Sequence, residues 1–116
     1  EGHTEAVSVS TTAACTPAAV AAAFREYGAE LAALGLPSAP QRLITVHDDP
    51  YRPQPRLDRN AGGGMSVVVG RVRPCPVLTL RLELLSHNAV RGAAGGAVLN
   101  AELLAAKGML RRGERP

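Results

Sequence analysis

The chain has 116 residues, the length of one ordinary domain, and its 46% hydrophobic content supplies a core of Ala, Val and Leu, with Phe24 the single Phe and no Trp. A net charge of +3 is mildly basic, and the arginines of residues 52–59, 71–73 and the C-terminus have no aromatics interleaved among them, which argues against a nucleic-acid stacking surface. No apolar run approaches the ~18 residues of a membrane span, so neither nucleic acid nor membrane is an expected partner.

The first residues read as strand and carry no signal peptide, and the chain opens on Glu1; it is expected to be the C-terminal piece of a longer protein. Cys15 and Cys75 stand in unrelated contexts without CxxC or metal-ligand spacing, so no metal is expected and a reducing, cytoplasmic setting is.

Residues 6–12, AVSVSTT, alternate apolar and small polar side chains, the pattern of a half-buried strand. A helix should follow, with Thr16 as N-cap and Pro17 in its first turn. Val20, Ala23, Phe24, Tyr27, Leu31 and Leu34 recur at helical spacing until Gly35 and Pro37 stop it. RLITVH, 42–47, predicts a second strand.

Residues 48–64, DDPYRPQPRLDRNAGGG, lack any apolar period and predict a loop, long enough to suggest function or mobility. MSVVVGRVR, 65–73, and PVLTLRLELLS, 76–86, predict two antiparallel strands, the second with Leu78, Leu80, Leu82 and Leu84 on one face. A helix over about 89–107 closes the chain. The order predicts an α+β fold, a mainly antiparallel sheet of about four strands with two helices. The glycines at 62–64 and at 92, 95 and 96 do not follow a strand with GxGxxG spacing, so no dinucleotide-binding unit is expected within the chain.

Few residues invite chemistry. His3 follows Gly2 at the head of the first strand, where a histidine suits acid–base work, or is simply a surface residue. Ser86, His87 and Asn88 precede the last helix, where Ser86 or Asn88 would serve as a cap or a helix terminus would meet a ligand. Capping leaves the small Ala/Gly run of 92–96 unexplained, and that run asks for close approach of a partner. Arg52, Arg56 and Arg59 are interspersed with Asp48, Asp49 and Asp58, which favours a self-paired loop, or one clasping a neighbouring subunit, over a phosphate site. Neither Cys15 nor Cys75 has a neighbouring base, and both read as inert.

Three ordered stretches, EGHTEAVSV, RPQPRLDRNAGGGMSVVVGRVR and LLSHNAVRGAAGGAVLNAELL, resemble the C-terminal part of aspartate-semialdehyde dehydrogenases, above all the archaeal and fungal branch. The resemblance spans Gly2 to about Leu110. It implies that residues 1–116 are the C-terminal portion of the dimerisation and catalytic domain, with a fold like that of glyceraldehyde-3-phosphate dehydrogenase. The dinucleotide-binding domain, the nucleophilic Cys and the substrate-binding Arg would lie upstream, leaving this piece inactive alone.

The implied reaction reduces aspartyl phosphate to aspartate semialdehyde with NADP(H), in amino-acid biosynthesis. His3 matches the family's acid/base histidine, and Asn88 matches the Asn that reaches the nicotinamide end of the cofactor. The thin face from Gly92 to Gly96 would pack toward the dinucleotide domain. His87 matches no catalytic position. The competing readings are a paralogous acyl-phosphate or acyl-CoA reductase, for example of malonyl-CoA, and a non-catalytic oligomerisation module. The expected partners are a small-molecule substrate, the N-terminal domain of the same chain, and further copies of the chain. VVVGRV and LTLRLELL look too apolar to face water, so a homodimer or homotetramer through the sheet is expected, with the 48–64 loop near the partner.

Overall fold

A computed structural model describes residues 1–110, which leaves the arginines of the C-terminal cluster outside the described residues. The elements run β1 (His3–Val9), α1 (Pro17–Glu26), α2 (Ala29–Ala32), β2 (Ile44–Val46), α3 (Pro55–Asp58), β3 (Val67–Pro74), β4 (Leu80–Ser86) and α4 (Ala94–Ala106), with a 3-10 turn at Ala61–Gly64. The strands form one sheet in the order β1-β4-β3-β2. Both pairings of β4 are antiparallel and that of β2 with β3 is parallel. The fold is therefore the expected α+β class with four strands, and two one-turn helices accompany the two expected ones.

The first strand lies three residues earlier than its alternation suggests. Its register sets His3 opposite Ser86, Val7 opposite Leu82 and Val9 opposite Leu80, so pairing with the leucines of β4 overrides the local pattern. Directly opposed residues of antiparallel strands share a face. Val7, Val9 and Val69 thus lie on the side of Leu80, Leu82 and Leu84. Leu80 and Leu82 are 2% and 6% exposed within the single chain. Against the expectation that this face is left open, the chain itself covers Leu80 and Leu82, while Leu84, Val7 and Val9 are half-buried. Leu78 is not part of the strand, because Pro74-Cys75-Pro76 opens a turn in which the Cys75 amide donates to the Thr79 carbonyl at 3.3 Å. Val77 and Leu78 are exposed there.

The first helix starts as expected, with the Thr16 hydroxyl accepting the Ala19 amide at 3.2 Å and Pro17 behind it. It ends eight residues early. Tyr27 already leaves the helical region at ψ 126°, and Gly28 follows at φ +77°, so close to Leu43 that a Cβ there would strike its Cδ1. Tyr27 and Leu34, expected on its buried stripe, are exposed.

Val68 and Leu85, both 0% exposed, and Val69, at 2%, make the sheet core. A second cluster of Leu36, Met65 and Leu99, with Leu43, Val90 and Leu103 against it, fastens α4. Glu102 joins that contact by accepting the Ser38 amide at 2.9 Å and the Ser38 hydroxyl at 2.8 Å. Only Leu99 of α4 is buried, while Val98 and Leu104 are exposed, so the helix is not amphipathic in this chain. No helix among the described residues is long and apolar enough to cross a membrane.

Candidate functional site

The register of β1 on β4 carries the head of the chain to the segment after β4. Gly2 donates its amide to Asn88 Oδ1 at 2.9 Å, across 86 positions of sequence. His3, the next residue, is exposed. Gly2 itself has φ +104°, and a Cβ there would lie 3.2 Å from Pro55 Cβ and 3.3 Å from Arg59 Cβ. A larger residue would be both strained and crowded. His3 and Asn88, chosen separately from the sequence, are thus placed at one end of the same strand pair.

Neither candidate cap acts as one. The last helix begins at Ala94, its N-cap position is Ala93, and no side chain accepts there. Ser86 is the final residue of β4, and Asn88 stands in a turn over residues 88–93 pinned by the His87 carbonyl, which accepts from Val90 at 3.3 Å and from Gly92 at 3.1 Å.

The small residues of that segment have a source inside the chain. A Cβ on Gly95 would lie 2.5 Å from Met65 Sδ and 2.9 Å from the Val90 carbonyl oxygen; on Gly92 it would lie 2.9 Å from the Asn88 carbonyl oxygen, and on Gly96 2.5 Å from that of Arg91. The glycines accommodate the tight turn beneath the helix and one core methionine. Gly92, Ala93, Ala94 and Ala97 are exposed all the same. His87 is 8% exposed, with its Cδ2 against Gly64.

The 48–64 segment is tied together by a buried carboxylate. Asp58 is 3% exposed. It receives the Arg52 Nε at 2.7 Å, a second Arg52 nitrogen, and the Gln54 amide at 2.7 Å. His47 Nε2 lies 3.2 Å from Asp58 Oδ1. The Arg52 side chain beside it, then the Gln54 amide, hold the Asp58 carboxyl below the usual carboxylate range against the opposing effect of burial. The same bonds raise Arg52 above its ordinary value. The self-paired loop is therefore present, and Arg52 is committed to it. Arg56 is exposed and Arg59 half-buried. The one-turn α3 and the 3-10 turn were not legible because neither carries a periodic apolar face.

Both cysteines are free thiols. Cys15 Sγ lies 3.5 Å from the Thr11 hydroxyl. In the 75–79 turn the Leu78 amide points at Cys75 Sγ at 3.4 Å. That amide and the Val77 amide lower the Cys75 thiol from its ordinary value, an effect of turn geometry that sequence spacing does not reveal.

Residues 1–91 match the family described as semialdehyde dehydrogenase, dimerisation domain. An aspartate-semialdehyde dehydrogenase of Cryptococcus neoformans is 46% identical over 112 residues, 95% of this chain and 31% of that protein. One from Archaeoglobus fulgidus is 48% identical over 104 residues, 90% of this chain and 29% of that protein. The crystal structure of the Candida albicans aspartate-semialdehyde dehydrogenase with NADP superposes with a TM-score of 0.80 at 43% identity, covering 95% of this chain and 31% of that one. The chain spans about 30% of the length of the relatives it matches.

Proposed function

The chain belongs to the semialdehyde dehydrogenase family, within its dimerisation domain, and on that premise we propose that it is the C-terminal part of an NADP-dependent aspartate-semialdehyde dehydrogenase. The substrate pair is aspartyl phosphate and aspartate semialdehyde. The observation that supports the reading is the Gly2–Asn88 hydrogen bond, which ties the residue before His3 to Asn88. Against the acyl-CoA reductase alternative stand relatives at 42–53% identity that bear the name aspartate-semialdehyde dehydrogenase.

His3 has the exposure that a general acid/base requires. Its imidazole would take the proton of a cysteine thiol supplied by the rest of the polypeptide and return it as the covalent intermediate collapses. NADPH would supply the hydride. Asn88 fits the nicotinamide carboxamide in one respect: Gly2 occupies its Oδ1, which leaves the Nδ2–H groups to donate to a carbonyl oxygen. Oδ1 keeps a second lone pair, but the Nδ2–H groups are the unengaged end, and through them Asn88 orients the ring.

The assembly is a homodimer or a homotetramer, formed in the cytoplasm with the dinucleotide-binding domain of the same polypeptide packed near α4. The test of the reading is the full-length enzyme's NADP-linked, phosphate-dependent oxidation of aspartate semialdehyde. His3→Ala should lower its turnover by about 10²–10⁴-fold. Near-normal turnover would remove His3 from the mechanism.

A further inference from the structure

The structure contains a cleft lined by neither His3 nor Asn88. It lies between the start of α1 and the β2–β3 side of the sheet, with a volume of about 560 Å³, within the usual range of small-molecule sites. Ala18 and Ala21 of α1 and Val46 and Val72 of the sheet give it apolar walls, and His47, Arg71 and Arg73 bring polar groups to the same space.

The polar wall is held in place rather than loosely solvated. Between Gly70 and Arg73 the β3–β4 register shifts, and Arg71 takes φ +54°, the sole non-glycine residue with positive φ among the described residues. L side chains rarely adopt that conformation, and such outliers gather at binding sites. Here the bulge aims the Arg71 guanidinium: its Nε donates to the Pro50 carbonyl at 2.8 Å and its Nη1 to Glu83. Arg73 donates to the Arg71 carbonyl at 2.6 Å and to the other Glu83 oxygen at 3.2 Å. His47 stands beside the buried Asp58 carboxylate.

The charges do not cancel. Arg71 and Arg73 share the single carboxylate of Glu83, which leaves one positive charge in excess. Asp48, the acid on the cleft wall, is paired with Arg25 at 2.7 Å. Two guanidiniums spend only four N–H groups on the bonds above, and the remainder are free to donate.

We propose that this cleft binds a small carboxylate with a short aliphatic body, its carboxylate on Arg71 and Arg73 and its alkyl group against Ala21, Val46 and Val72. A bare phosphate would meet the same cations but leave the apolar walls wet.

The test uses the full-length protein and titration calorimetry with 3-methylbutanoate, acetate and inorganic phosphate. Saturable binding of 3-methylbutanoate at least about tenfold tighter than that of acetate or phosphate is expected. Arg71→Gly relieves the left-handed backbone at φ +54° while losing the bonds to Pro50 and Glu83, so this variant should stay folded, with its melting temperature measured as the control. It should bind 3-methylbutanoate at least about tenfold more weakly, and so should Arg73→Gln. The proposal is overturned if 3-methylbutanoate does not saturate the protein, if acetate or phosphate binds as tightly, or if the arginine variants bind like wild type. Turnover is measured separately, so a cleft that fails this test leaves the proposed reaction standing, and the reverse.

Discussion

Asn88 holds Gly2: its Oδ1 accepts the glycine amide at 2.9 Å and so joins the head of β1 to the turn that follows β4. The bond needs only an acceptor, whereas a contact to a cofactor carbonyl needs the Nδ2 donor. Asn88→Asp keeps the first and loses the second. Asn88→Asp is therefore expected to melt near the wild-type temperature while binding NADPH more weakly, and Asn88→Ala to lose both, with a stability cost of about 1 kcal/mol. Affinity and melting temperature measured together on the full-length variants decide it. Unchanged NADPH affinity in Asn88→Asp would make the residue a fastener only.

The Asp58 carboxylate should make the fold sensitive to acid. Its folded-state pKa is depressed, chiefly by Arg52, so its stabilising effect is complete above the ordinary carboxylate value of about 4 and fades as pH falls through the lower folded value. Asp58→Asn should melt below wild type at pH 7 and show a flatter dependence of Tm on pH below about 4. Parallel slopes in the two proteins would assign the acid sensitivity elsewhere.

Two glycines separate crowding from backbone preference. At Gly70 an added Cβ would meet the Arg52 carbonyl oxygen, which is backbone and cannot swing away. Gly70→Ala should cost about 2–3 kcal/mol in chemical denaturation. Gly35 has φ +58° with open space around it, so Gly35→Ala should cost only the left-handed penalty, about 1–2 kcal/mol. Equal losses at the two sites would show that the 52–53 crossing yields.

Assembly is expected to survive dilution. Light scattering on the full-length protein at micromolar concentration should give the mass of a dimer or tetramer. A monomeric mass would reject the proposed assembly. The sheet's leucine face offers no argument for it, because Leu80 and Leu82 are already covered.

The sequence was most readable where local and long-range preferences agree. Thr16-Pro17 opens α1 as a cap followed by a proline must, and the valines of β3 sit within a residue or two of their expected span. It was least readable where a distant residue decides. The Tyr27-Gly28 turn that ends α1 packs against Leu43, and the leucines of β4 pull β1 forward to His3. The parallel register of Ile44–Val46 on Val67–Val69 is closed at its two ends by Val67 N to the Leu43 carbonyl and His47 N to the Val69 carbonyl, each 2.9 Å. No spacing rule announces them. For the site, motif resemblance supplied His3 and Asn88, while their junction through Gly2 emerged only from the register. The Arg71 bulge gave no signal at all, since an arginine is the wrong residue type to suggest a left-handed backbone.

The pairing of β1 with β4 also bears on how the chain comes to be folded. On a ribosome, the strand at His3–Val9 emerges long before Leu80–Ser86, its only strand partner among the described residues. It must wait through the synthesis of β2 and β3, and closing so distant a contact is slow. A sticky segment would be dangerous in that interval. HTEAVSV has three apolar residues, none large, beside a charged glutamate, a composition that lets an unpartnered strand wait without capturing its neighbours.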